Sequence, residues 1–214
     1  MPSHPPPDTS RVWPSAISRQ PVPRTTWLGL AALALICACG GRQRAPAETP
    51  PAGPAAPRVL PLGSVFQVET GGPPPPDTSV SFTTGTARMI VVHHGGEGIA
   101  FARLSFAAAA FGDSGRPVSV EVRPSPGLYG LDFSTSLPFR GGQAELTFVY
   151  GRYFLAPARA RQVYGSDAAF ERALAVGRVL PDGQIELLPS TRPGADNLRA
   201  VLPSTGRYLM AAPQ

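Results

Sequence analysis

The chain has 214 residues, 43% of them hydrophobic and 15% charged, with 27 Pro and 23 Gly; that length fits one ordinary domain with appendages, since domains usually run to about 100–200 residues. So much Pro and Gly excludes a helical bundle or a coiled coil, because inside a helix Pro costs about 3 kcal/mol and Gly about 1, and the long apolar stretches exclude a wholly disordered chain. All 19 basic residues are Arg and the net charge is +5, yet no run of four basic residues occurs, and that excludes the clustered footprint nucleic-acid binding needs.

From Trp27 to Ala38 every residue is uncharged, and Arg19 and Arg24 precede the segment. Twelve residues in a helix rise about 18 Å, short of the roughly 30 Å hydrocarbon thickness. A secretory signal with a basic start and a short apolar stretch fits better than a permanent span. The polar overhang ahead of it holds Pro5-Pro6-Pro7, Pro14, Pro21 and Pro23. Such a stretch has no obvious role in translocation, which points to a start downstream, at Val12 or at Val22; the second would leave residues 1–21 untranslated.

Ile36-Cys37-Ala38-Cys39 resembles the lipobox of bacterial lipoproteins, with an aliphatic residue three before the Cys and a small residue directly before it. The resemblance implies cleavage after Ala38 and acylation of Cys39, so that residues 1–38 are removed and several acyl chains together give stable anchoring. Cys37, preceded by bulky Ile36, does not fit the acceptor position. With Cys39 acylated and Cys37 removed, the mature chain has no thiol for a disulfide, a zinc site or a nucleophile. Gly40 after the Cys lacks the retention signal that Asp provides, which favours the outer over the inner membrane.

Residues 39–58 are rich in Pro and Ala and hold no large apolar side chain. They cannot bury enough surface to offset their ordering entropy, so a disordered, partly polyproline tether is expected. Residues 59–214 then form the body. Val65 to Thr70, Val80 to Thr84, Ala87 to His93 and Ile99 to Phe106 are candidate strands. Period-two alternation is clearest at Val118, Val120 and Val122, at Tyr129, Leu131 and Phe133, at Leu146, Phe148 and Tyr150, and at Leu198, Ala200 and Leu202. Each such set lies on one face of a half-buried strand. Leu174 to Leu180 and Gln184 to Leu188 flank Pro181-Asp182-Gly183, a hairpin turn with Gly at its left-handed position. Only Ser166 to Arg172, capped by Ser166 or Asp167, suits a helical turn. The pattern predicts an all-β, Ig-like antiparallel sandwich with at most one short helix.

The order Phe106 to Phe111, Val118 to Val122, Leu131-Asp132-Phe133-Ser134, Leu137-Pro138-Phe139 and Leu146 to Tyr150 resembles the sandwich shared by zona occludens proteins and Unc-five netrin receptors. Ser134-Thr135-Ser136 departs from the Pro and Gly common there. The resemblance implies structural or adhesive roles and supplies no catalytic residue.

Three constellations invite chemistry. Gly112-Asp113-Ser114-Gly115 is similar to the nucleophile loop of chymotrypsin-like proteases, where a distant His activates the Ser. His93 and His94 stand only about 20 residues ahead, too few to complete a separate barrel, so a tight turn is the expected role. The two histidines would also point to opposite faces of a strand and could not readily share a metal; surface positions at a strand end are expected for both. Phe148, Tyr150, Tyr153, Phe154 and Tyr164, interleaved with Arg152, Arg159 and Arg161, could stack on sugars or bases, or form a core with solvated Arg. The reading is therefore a lipid-anchored cell-envelope protein with no cofactor and no catalytic residue. Its body is a non-enzymatic binding or structural module for an envelope protein or glycan. An envelope serine hydrolase using Ser114, or an accessory subunit of an envelope-assembly or export complex, are the alternatives.

Overall fold

Segments with period-two alternation become strands whose apolar sides meet across one gap. The computed structural model describes residues 57–214; the signal segment, Cys39 with its flanks Ile36 and Ala38, and nearly all of the tether lie outside the described residues. In chain order the elements are β1 (Arg58–Pro61), β2 (Val65–Gln67), β3 (Glu69–Thr70), β4 (Thr78–Thr83), β5 (Arg88–His93), β6 (Ala100–Phe106), β7 (Pro117–Pro124), β8 (Gly130–Thr135), β9 (Ala144–Val149), β10 (Phe154–Leu155), α1 (Ala158–Tyr164), α2 (Asp167–Ala173), β11 (Ala175–Val179), β12 (Gln184–Leu187), β13 (Ser190–Thr191), β14 (Asn197–Leu202) and β15 (Gly206–Pro213).

The strands form an antiparallel sandwich. One sheet runs β1-β12-β11-β15-β8-β7-β4, with β2 also on β15, and the other runs β13-β14-β9-β6-β5; β3 and β10 make a separate pair. Between the two large sheets lie Val118, Val120, Val122, Leu131 and Phe133 from the first and Leu104, Phe106, Leu146, Phe148 and Leu198 from the second. Phe106 meets Phe133 edge-on, their centroids 6.4 Å apart. The hairpin of β11 and β12 turns on Gly183, at φ +79°, and Asp182 accepts from the Gln184 amide at 3.1 Å.

Two short helices cap one end, where the sequence led us to expect at most one. Ser166 caps α2 by accepting from the Ala169 amide at 3.2 Å. α1 has no side-chain cap at its start and stops at Gly165, in the left-handed region at φ 75°. Neither helix would stand alone at seven residues; Phe170 and Ala160 hold them by burying their faces in the main core.

A second, smaller core lies on the other face of the first sheet: Val65, Ile185, Leu187, Leu209 and Ala211, with Leu60, Leu62, Ala175 and Val179 packed around them. Strand β15 feeds both cores, Tyr208, Met210 and Ala212 facing the main one and Leu209 and Ala211 the other. Its neighbour on one side is β11; on the other, β8 pairs with Gly206 to Leu209 and β2 with Ala211 to Pro213. β1 pairs with β12, yet only Leu62–Ser64 separates it from β2. In a flat sheet, four strand spacings would put β1 about 19 Å from β2, whereas the four-residue step from Pro61 to Val65 spans at most about 14 Å. This end of the sheet therefore curls into a small ring of β1, β12, β11, β15 and β2 around the second core.

Candidate functional site

Ser114 lies exposed in the turn before β7, where Gly112 and Gly115 both take positive φ. The Thr84 hydroxyl donates to the Asp113 carbonyl at 2.6 Å, so the turn is fastened to the β4–β5 connection. Gly85 is needed there, since a Cβ on it would come 2.5 Å from Ser114 Cβ. The turn sits by the opening of β5, whereas His93 ends that strand and His94 follows it. The length of β5, roughly 17–20 Å, thus separates the turn from either histidine.

His93 is exposed, but His94 is 1% exposed, which corrects the expectation that both are surface residues. The strand turns the two neighbours to opposite sides, and aromatic rings close over the inward one. Phe101, Tyr129 and Tyr153 stand at centroid distances of 5.3, 6.3 and 4.7 Å from the imidazole. Its Nδ1 donates to the Pro73 carbonyl at 2.9 Å, and Nε2 is buried with no hydrogen-bond partner among the described residues. Gly72 permits this closure, because a Cβ there would fall 2.5 Å from the Tyr153 ring and 2.9 Å from His94 Nδ1. No group of three or more His, Cys, Asp or Glu side chains suited to a metal ion occurs among the described residues.

The aromatic residues interleaved with Arg are chiefly core. Phe148 and Tyr150 are buried; Phe154 and Tyr164 are half-buried and pack on Phe170 at 6.2 and 5.5 Å. Tyr150 donates to Glu171 Oε1 at 2.7 Å. Burial first, then the Glu171 carboxylate, pushes the Tyr150 hydroxyl up to about 12. Arg152 lies 5.6 Å from the centroid of the Tyr153 ring, and Arg161 pairs with Asp167 at 2.6 Å.

A shallow cleft of about 290 Å³ opens where the end of α2 meets the ring of strands, and Arg58, Arg172, Leu174, Leu187, Pro189 and Arg192 are among the residues that line it. Every ionisable side chain in its wall is Arg, although residues 57–214 hold 14 Arg against 12 Asp and Glu. Arg192 donates to the Leu174 carbonyl at 3.1 Å and also to that of Glu171, so it tethers the carbonyl end of α2. Ser190, also in the wall, is engaged locally: it donates to the Leu188 carbonyl at 2.8 Å and accepts from the Val176 amide at 3.0 Å. The cleft therefore offers positive charge over an apolar floor of Leu174, Leu187, Pro189 and Pro213. Sequence reasoning missed it because its arginines come from three separate segments.

No family model, no curated protein and no solved structure matches this chain. Among the described residues, no helix is long and apolar enough to cross a membrane.

Proposed function

We propose that the chain is a bacterial lipoprotein of the cell envelope, held to a membrane by acyl chains on Cys39, whose β-sandwich acts as a non-enzymatic binding or structural module. The observation that carries this reading is Ile36-Cys37-Ala38-Cys39 closing the apolar segment from Trp27, with a Pro-rich stretch leading directly to Arg58, the first residue of β1. A chain so arranged puts a folded body within reach of a bilayer without inserting it. Gly40, in place of the retaining Asp, favours the outer membrane. Its partners are the membrane, through the lipid, and an envelope protein or glycan; nucleic acid is not among them.

Palmitate labelling in intact cells tests the anchor. The wild type is expected to take up label, and Cys39→Ala to lose it and keep its signal segment. Label retained by Cys39→Ala, or native protein found unacylated in the cytosol, would refute the reading. Labelling by a fluorophosphonate probe that Ser114→Ala abolishes would replace it with an envelope serine hydrolase.

One observation favours a more specific role as an accessory subunit of an envelope-assembly or export complex. Consecutive strands β4 and β5 each end a sheet, which leaves backbone donors and acceptors open for a partner strand. Crosslinking from Ser81 or Met89 in cells, followed by identification of the attached protein, tests that role.

A further inference from the structure

We infer that the arginine-lined cleft beside α2 receives the anionic headgroup of a phospholipid, so that the body docks on the bilayer its tether reaches. The inference rests on the lipoprotein reading only for placing a bilayer nearby.

Among the described residues, the wall of the cleft contributes three guanidinium groups and no carboxylate. Of the acids near its arginines in sequence, Asp167 pairs with Arg161 and Glu171 accepts from Tyr150, and neither these nor Asp196 line the cleft. Ion pairs among the described residues involve Arg123, Arg161, Arg178 and Arg199, and neither Arg58 nor Arg172. A planar guanidinium matches two phosphate oxygens at once, which an ammonium cannot do. At about 290 Å³ the cleft is below the roughly 300–1,000 Å³ that encloses a drug-sized molecule, so it accepts a headgroup and leaves the acyl chains outside.

Position supports the same occupant. Arg58 opens β1, so the cleft lies at the root of the tether, 19 residues after Cys39. On α1, Val163 is 57% exposed. Arg58 also acts electrostatically on the Tyr164 hydroxyl, which places its charge near the end of α1. Cations at the tether root with exposed Val nearby suit an anionic interface, where each Arg near the surface contributes about 1 kcal/mol, or roughly fivefold in affinity.

Residues 57–214 are the material for the test, because that span holds the residues that form both cores. The measurement is co-sedimentation at low ionic strength with vesicles of phosphatidylcholine, alone or mixed with phosphatidylglycerol. Binding is expected only with the mixed vesicles. Arg58→Gln/Arg172→Gln is expected to weaken it by about tenfold or more, while Arg88→Gln/Arg116→Gln, an equal change of net charge at the start of β5 and in the turn before β7, stays within about twofold. Arg192 is left unchanged because it holds α2. No binding to either vesicle, equal binding to both, or equal loss in the two double variants would overturn the inference. So would binding of inorganic phosphate to residues 57–214 without any binding to the mixed vesicles, which would reassign the cleft to free phosphate. These residues lack Cys39, so failure here leaves the acylation result standing, and loss of acylation leaves this result standing.

Discussion

Gly177→Ala tests the ring of strands at its tightest point. Gly177 pairs with Leu187 on one side and Leu209 on the other, and its missing side chain would point into the second core. A Cβ there would stand 2.3 Å from Ile185 Cδ1, 2.7 Å from Ile185 Cγ1 and 3.3 Å from Leu187 Cδ2, against about 3.5–4.0 Å for relaxed carbon contacts. Turning the Ile185 side-chain end would clear Cδ1 but not Cγ1, and χ1 of a β-branched residue has few alternatives. Ile185 is 0% exposed, so its neighbours must move too. Overpacking of this kind costs about 1–3 kcal/mol, offset by roughly 0.4–1 kcal/mol because Ala restricts the unfolded chain. The net loss should be about 1–2 kcal/mol, which at a urea slope of about 1–3 kcal/mol/M lowers the unfolding midpoint by roughly 0.5–1 M. Ile185→Val alone should cost about 0.5–1.5 kcal/mol. Because it removes the atom nearest the new methyl, the double variant should be more stable than the sum of the two losses, by about 1 kcal/mol. A Gly177→Ala protein as stable as wild type, or strict additivity in the cycle, would refute the packing described for this core.

Tyr150 makes the fold sensitive to alkali. Its hydroxyl, ordinarily at 10.0, is raised to about 12 by burial and by Glu171, so the folded state holds that proton more tightly than the unfolded chain. The associated stability is complete below pH 10 and is lost as pH rises toward 12, the sign expected when the native state binds more protons. Urea midpoints taken across that window should fall less steeply for Tyr150→Phe than for wild type. A residual slope should remain, since burial also raises Tyr129, Tyr164 and Tyr208; identical slopes would exclude a role for Tyr150. His94→Ala, which empties the space between Phe101, Tyr129 and Tyr153 and leaves the Pro73 carbonyl without its donor, should cost about 3 kcal/mol. His93→Ala, on the exposed side, should stay within about 0.5 kcal/mol in the same thermal unfolding experiment, and equal losses would contradict the different burial of the two histidines.

Strands with one buried face were legible because their apolar period is two. Val118, Val120 and Val122 in β7, and Leu146 and Phe148 in β9, sit where alternation puts them. β1, β10 and β13 are four, two and two residues long, too short for a period to show. α1 escaped because it follows Pro157 without a Ser, Thr, Asp or Asn cap. The second core was hidden for a different reason. Tyr208-Leu209-Met210-Ala211-Ala212 is a continuous apolar run, the mark of a strand covered on both faces, and a run without a period does not name the partner on either face. His94 could not be placed from local pattern, since the ring closing over it is Tyr153 and the space it fills depends on Gly72, both remote in sequence. The cleft likewise joins Arg58, Arg172 and Arg192 only once β1 has paired with β12 and α2 has docked.

The place of β15 constrains when this body can take shape. It follows every other strand in chain order and holds β11, β8 and β2 together, so the earlier pieces have no common seam until it emerges. Loss of Gly206 to Pro213 would therefore part β11, β8 and β2 from one another, where loss of an outermost strand would only narrow a sheet.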